Sequence, residues 1–272
     1  MLAVVGDLLE DIVVRIDATP TLGTDTPARI QRRRGGSAAN VAACAARAGA
    51  PVRFIGCVGD DDLGDRLVRE LSADRVDVRV QRRGRSGSVV VLVGPDGERT
   101  MLPDRGAAIE LVEPDPTWLE GVVWLHVPSY SLLSEPIGSA SRALIDDLRR
   151  RGGRLSIDVS SVAEVDQFGV QRYVSLLSEL EADVVFANEP ESRRLPDIGS
   201  TLTIVKDGPR PVRVRGPREA FEVAAPRLPV VADSTGAGDA FAAGYLAAAI
   251  RGEPVRQCVS SGVDLAAQFL RS

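Results

Sequence analysis

Short apolar runs that close on glycine or an acid alternate along this chain with stretches in which small and apolar residues recur at helical spacing. The run Leu2–Val5 ends in Gly6-Asp7, "DIVVRID" follows, and a loop rich in Pro, Gly and Thr, "ATPTLGTDTPA", comes next. A strand, a turn and further strand are the expected forms. From Ser37 to Gly49, "SAANVAACAARAG" has high helix propensity, with Ser37 as N-cap and Gly49 as stop. "VRFIGCVG" then predicts a buried strand and "DDLGDRLVRELSA" a helix.

Between about Val76 and Leu102 the pattern shifts to short β-rich segments, "VDVRVQRR" and "GSVVVLVGPDGERTML", with Pro95-Asp96-Gly97 as a turn between two strands. This part is expected to lie outside the main sheet. Alternation resumes with "VVWLHV", the helix "IGSASRALIDDLRRRGG", the strand "RLSIDVS", the helix "VQRYVSLLSELEA", and the strands "DVVFAN" and "LTIVKDG". Such a βα series predicts a mostly parallel sheet flanked by helices, with ligands beyond the carboxyl ends of its strands. Gly6-Asp7, His126, Asp158, Asn188 and Lys206-Asp207 fall at those ends. One domain over 1–272 is expected, with lid strands inserted at about 12–34 and 76–105.

Composition narrows the function classes. At 272 residues and 44% hydrophobic content the chain can bury a sizeable core, and 4% aromatics is too few for a base-stacking platform. A net charge of -5 argues against counterion-driven binding to nucleic acid or anionic lipid, so runs such as Arg32-Arg33-Arg34 read as solvated faces. Lys206 is the sole lysine among 33 basic residues. Cys44, Cys57 and Cys258 form no CxxC pair and His126 is the only histidine, which argues against zinc or a disulfide framework and for a reducing cytosol. The first apolar run is too short for a signal peptide, and none approaches the roughly 20 residues of a membrane span. A cytoplasmic location, without nucleic-acid or membrane partners, is expected.

The chemistry concentrates in "DSTGAGDAFAAGY" at Asp233–Tyr245. A glycine pair at a loop-to-helix junction lets backbone approach a ligand and leaves helical N–H groups aimed at it. Gly236, Ala237 and Gly238 would thus offer amides to a phosphate. Asp239, beside that anion, either takes a proton from an attacking hydroxyl or merely complements the helix N-terminus. A P-loop and the G-x-G-x-x-G fingerprint are both absent, so nucleotide binding needs another device. A second glycine pair, Gly35-Gly36, precedes the helix carrying Asn40, whose amide suits a polyol hydroxyl.

"GGSAAN" at Gly35–Asn40, "GCVGDDDLG" at Gly56–Gly64, "DGERT" at Asp96–Thr100, "NEPE" at Asn188–Glu191 and "DSTGAGDAFAAG" at Asp233–Gly244 together resemble the ribokinase-like, or PfkB, family of carbohydrate kinases in order and spacing. The resemblance implies a three-layer α/β/α fold with a mostly parallel central sheet and a small β-rich lid. It implies in-line transfer of the ATP γ-phosphoryl, with Mg²⁺, to a primary hydroxyl of a small sugar or sugar-like acceptor. By matching position, Asp239 resembles the base and Gly236, Ala237 and Gly238 the anion hole. Asp11, Gly36 and Asn40 match acceptor contacts, while Asn188 and Glu191 match the N-x-x-E motif that organises Mg²⁺ and phosphate, often through water. Lys206 and Gly208 stand where the nucleotide loop begins, and Asp233 and Thr235 match part of a monovalent-cation (K⁺) site. Two departures stand out: "RGAA" at Arg105–Ala108 lacks an asparagine common in relatives, and the chain ends at "AAQFLRS", before the loop that completes the cation site in them. His126, before "VPSYSLL", reads either as a pocket residue or as a satisfied buried histidine. A nucleoside acceptor, or a non-catalytic sugar- or nucleotide-binding role, is the alternative, and the lid strands suggest a homodimer through the lid.

Overall fold

A computed structural model describes every residue except 21, 197–200, 218, 229–233 and 272. In chain order, β1 (Leu2–Val5) leads to the antiparallel pair β2 (Leu9–Ile16) and β3 (Ala28–Gly35), then α1 (Ser37–Arg47), β4 (Val52–Val58), α2 (Asp62–Ala73) and β5 (Asp77–Arg82). The hairpin β6 (Ser88–Val93) and β7 (Arg99–Asp104) follows, and two short 3-10 turns lead to β8 (Trp124–Pro128), α3 (Tyr130–Leu133), α4 (Ile137–Arg150) and β9 (Arg154–Asp158). Next come α5 (Val162–Phe168), α6 (Val170–Leu180), β10 (Val184–Asn188), α7 (Glu189–Ser192) and β11 (Leu202–Lys206). The antiparallel strands β12 (Val212–Arg215) and β13 (Ala220–Val223) precede the closing helices α8 (Ala237–Ala249) and α9 (Val255–Phe269).

The main sheet runs β13-β12-β11-β10-β9-β8-β1-β4-β5 and is parallel from β11 to β5. Central strands are buried on both faces, which is why "LAVV" and "VRFIGCV" are continuous apolar runs rather than alternating ones. Two cores result. One lies between the sheet and α1, α2, α8 and α9; the other lies under α3 to α6. From β1 the chain proceeds to β4 on one side, while β8 starts the strands that build the other. The crevice between the ends of β1 and β8 is therefore the topological switch point, where such sheets bind ligands.

A second sheet, β3-β2-β6-β7, stands apart as the lid. Its boundary corrects the sequence expectation: Asp77–Arg82, expected within a lid segment at 76–105, pairs in parallel with β4 and forms the edge of the main sheet. The "GCVGDDDLG" stretch is the foot of this lid. Asp61 caps α2 by accepting from Gly64 N at 2.7 Å, and the same carboxylate accepts from Ser86 N at 2.8 Å and Ser86 Oγ at 2.6 Å, just before β6. Glu10, 2% exposed, ties β2 to Arg32 of β3 and Arg66 of α2. Among the described residues no helix is long and apolar enough to cross a membrane.

Candidate active site

Two helix starts built on glycine converge at the switch point. Gly36 has φ 102°, and a Cβ there would sit 2.4 Å from Asp7 O, so only glycine lets α1 begin so close to β1. Gly236 has φ 86°, and a Cβ would meet the Phe269 ring at 3.0 Å. Ala237 N donates to Ser234 O at 3.1 Å and Ala240 N to Gly236 O at 2.8 Å, which closes the turn and starts α8. The amides of Gly238 and Asp239 stand in the first turn, where a helix offers no earlier carbonyl of its own. An anion fits there, and the helix dipole adds to the attraction.

Asp239 projects from this turn toward α1. Its Oδ1 accepts from Ser37 Oγ at 2.8 Å and its Oδ2 from Asn40 Nδ2 at 2.9 Å. Ser37 and Asn40 are three apart, hence on one face of α1, and so can grip a single carboxylate. Burial pushes the Asp239 carboxyl up to about 7, against the two hydrogen bonds from Asn40 and Ser37; Asp158 adds to the rise and Lys206 opposes it. At neutral pH the group is therefore poised between acid and base.

Lys206, at the end of β11, turns inward. Its Nζ donates to Asp158 Oδ2 at 2.6 Å, and its side chain is 16% exposed. A Cβ on Gly238 would lie 3.2 Å from Nζ, so the ammonium sits directly beside the turn. Burial works against this charge, but Asp158, Glu191 and Asp239 outweigh it, and the lysine pKa lies above its usual value. Asn188 and Glu191 form a capping box at α7: Glu191 N donates to Asn188 Oδ1 at 2.9 Å, while Asn188 N and Nδ2 donate to the Glu191 carboxylate at 2.7 and 2.8 Å. Burial and the neighbouring Asp158 hold the Glu191 carboxyl above its usual pKa.

Asn188, Glu191, Lys206, Gly208, Thr235, Gly236, Ala237, Gly238 and Asp239 all line one cavity of about 840 Å³. Its lining also includes apolar Val212, Pro226, Leu228, Val263 and Leu270. Gly36 and Asn40 adjoin the cavity through Ser37 and Asp239. Asp11 stands on β2 of the lid, 3.5 Å from Arg33. Asp233 lies outside the described residues. A divalent ion fits this donor set only as a partner of phosphate oxygens and water, because among the described residues no cluster of three metal-ligating side chains occurs and both Glu191 oxygens are engaged by Asn188.

Several residues were not assigned from the sequence. Asp158 and Tyr130 line the cavity, as does Ser37, which the sequence offered as the N-cap of α1; Gly36 is the N-cap instead, and the Ser37 hydroxyl goes to Asp239. Arg105 stacks over the Tyr130 ring at 4.2 Å and lies 3.5 Å from both Asp7 and Glu164, so the residue of "RGAA" that stands out is the arginine at the lid exit. Arg99, inside "DGERT", reaches from β7 to donate to Thr235 Oγ1 and joins lid to turn. The strand-end position of Asp158 was visible in the sequence; its pairing with a residue 48 positions later was not. His126 proves to be fully buried and outside the cavity wall. Its Nδ1 lies 3.0 Å from Ser156 Oγ, burial lowers its pKa to about 4, and its Nε2 has no hydrogen-bond partner among the described residues.

A helix start built on glycine at the switch point of a parallel sheet, beside a small second sheet, defines a ribokinase-like α/β fold. The chain belongs to the pfkB family of carbohydrate kinases, whose description, "pfkB family carbohydrate kinase", matches residues 1–272. It is 34% identical to a fructokinase of Klebsiella pneumoniae over 85% of this chain and 81% of that protein. It is 33% identical to an aminoimidazole riboside kinase of Salmonella typhimurium over 78% and 72% of the two chains. An E. coli ribokinase II structure in complex with ATP and Mg²⁺ superposes with a TM-score of 0.85 at 23% identity, covering 98% of this chain and 91% of that one. The protein is thus an ATP-dependent kinase of a sugar or nucleoside.

Proposed function

We propose that the protein transfers the ATP γ-phosphoryl to a primary hydroxyl of a small free sugar, with Asp239 as the base. The observation that carries this reading is the Asp239 carboxyl itself, fixed by Ser37 and Asn40 beside first-turn amides and raised to about 7. A group of that proton affinity can accept the hydroxyl proton as the oxygen attacks. The amides of the Gly236–Gly238 turn and the Lys206 ammonium face the developing phosphoryl charge. Asp11, Gly36 and Asn40 hold the acceptor, and Arg99 draws the lid over the turn. Mg²⁺, when bound, neutralises phosphate charge, with Glu191 and Asn188 contacting it through water. Gly208, on the cavity wall, borders the nucleotide. Thr235 and Asp233 are proposed to contribute to a K⁺ site.

Free sugar is favoured over nucleoside because the described lid residues offer no Phe or Tyr face for a base: its strands carry Val, Ile, Leu, Met and Arg. Asp239→Asn is expected to cut turnover by about 10²- to 10⁴-fold with unchanged circular dichroism; full activity in this variant refutes the base. ATP-dependent phosphorylation measured across fructose, ribose, 2-keto-3-deoxygluconate, adenosine and pseudouridine fixes the acceptor, and turnover of the nucleosides alone reverses the preference. We further propose a cytoplasmic enzyme that pairs through its lid. The register places Ile12, Val14, Ile30, Val90, Leu92 and Leu102 on one lid face, and Ile30 is 65% and Leu102 56% exposed.

A further inference from the structure

Asp158, Glu191, Lys206 and Asp239 line one cavity, and the pairing among them is unequal. Asp158 is held on every side. Its Oδ1 accepts from Ser160 N at 2.9 Å, its backbone carbonyl accepts from Ser129 N at 2.8 Å and Ser129 Oγ at 2.9 Å, and its Oδ2 takes Lys206 Nζ at 2.6 Å. It is 6% exposed, on the wall of the cavity. Lys206 has three donors, so one N–H on Asp158 leaves two for an anion at the turn. Where the other 32 basic residues of the chain are arginine, this position carries a compact ammonium, 3.2 Å from where a Cβ on Gly238 would stand.

We propose that Asp158 is a positioning residue: it anchors the Lys206 ammonium beside Gly238 of the turn, and the anchored pair trims a proton affinity of the Asp239 carboxyl that burial dominates. The inference rests on Asp239 being the base. The other groups around Asp239 leave this pair as the adjustable charge. From α1 come Ser37 and Asn40, both neutral, and Cys44, a thiol that burial raises to about 11. From β8 comes His126, neutral above about 4. From α7 comes Glu191, locked to Asn188, while the charged residues of α9, Arg256 and Asp264, are exposed. Removing Asp158 leaves the ammonium uncompensated and favours an ionised Asp239. Removing Lys206 leaves Asp158 uncompensated and favours a protonated one.

Carboxyl-carbon NMR of the full chain, with the Asp239 signal identified by its loss in Asp239→Asn, reads this directly and needs no acceptor. The Asp239 midpoint is expected to fall by about one pH unit in Asp158→Asn, to rise by about one in Lys206→Met, and to return to within about half a unit of wild type in the double variant. The acid limb of kcat/KM for ATP-dependent sugar phosphorylation is expected to move in the same directions. A purely structural Asp158 lowers activity and leaves the midpoint in place. An unmoved midpoint in folded single variants overturns the proposal; if Asp158→Asn does not fold, the opposite shift in Lys206→Met decides alone. Full activity of Asp239→Asn instead overturns the base assignment, a result separate from the midpoints.

Discussion

The Asp239 carboxyl carries two opposed pH effects. Catalysis by an ionised base predicts a kcat/KM that is flat above about 7 and falls tenfold per unit below it. Stability follows the other sign. Because the folded chain binds this proton more tightly than the unfolded chain does, its contribution is complete below the usual Asp value near ~4 and is lost as pH rises through about 7. Asp239→Asn removes that dependence. Its melting temperature is expected to exceed that of wild type by a margin that widens between those limits and then levels, which thermal unfolding at a series of pH values checks. The residues of this site were legible as motifs: "GGSAAN", "NEPE" and "STGAGD" each mark a backbone conformation or cap that few side chains can replace. The strand-end place of Asp158 was legible but its pairing was not, because that exists only once β9 and β11 bring it against Lys206.

At the level of elements, α8 shows how small residues place Asp239, the proposed base. Nine consecutive positions, Ala240–Ala248, are buried, so this helix has no solvent face and packs between α1, α9 and the sheet. Alanine and glycine let the helices approach until Ser37 and Asn40 touch Asp239. At the crossing with α9, a Cβ on Gly244 would lie 2.5 Å from Ser261 O, and one on Gly262 2.8 Å from Phe241 O. Gly244→Val is therefore expected to cost about 1–3 kcal/mol or more in urea unfolding and to lower activity by pulling α8 off α1. The βα alternation was readable because two-sided burial makes parallel strands uniformly apolar. The β5 strand was misplaced for a physical reason: an edge strand and a lid strand are both half-exposed, and "VDVRVQ" alternates as either would. The four-residue strands β12 and β13 were too short to give a period, and their antiparallel order on the sheet edge left no mark in the pattern.

Across the whole molecule, the lid meets the body through the Asp61–Ser86 foot, the Glu10–Arg66 ion pair, Arg105 over Tyr130, and Arg99 on Thr235. Its outer face carries Ile12, Val14, Ile30, Val90, Leu92 and Leu102 around Arg32 and Thr100. If that face pairs with a second copy, Leu102→Glu is expected to convert a dimer to a monomer in sedimentation equilibrium, and a wild-type chain that is monomeric at all concentrations refutes the pairing. The inward-facing Lys206 has a further practical consequence. A protease selective for lysyl bonds has one target in all 272 residues, and an amine-reactive label has only that side chain and the chain's own amino terminus. Since Lys206 is held against Asp158 beside the Gly236–Gly238 turn, the rate of a single cleavage or a single acylation becomes a clock for opening of the cavity it lines.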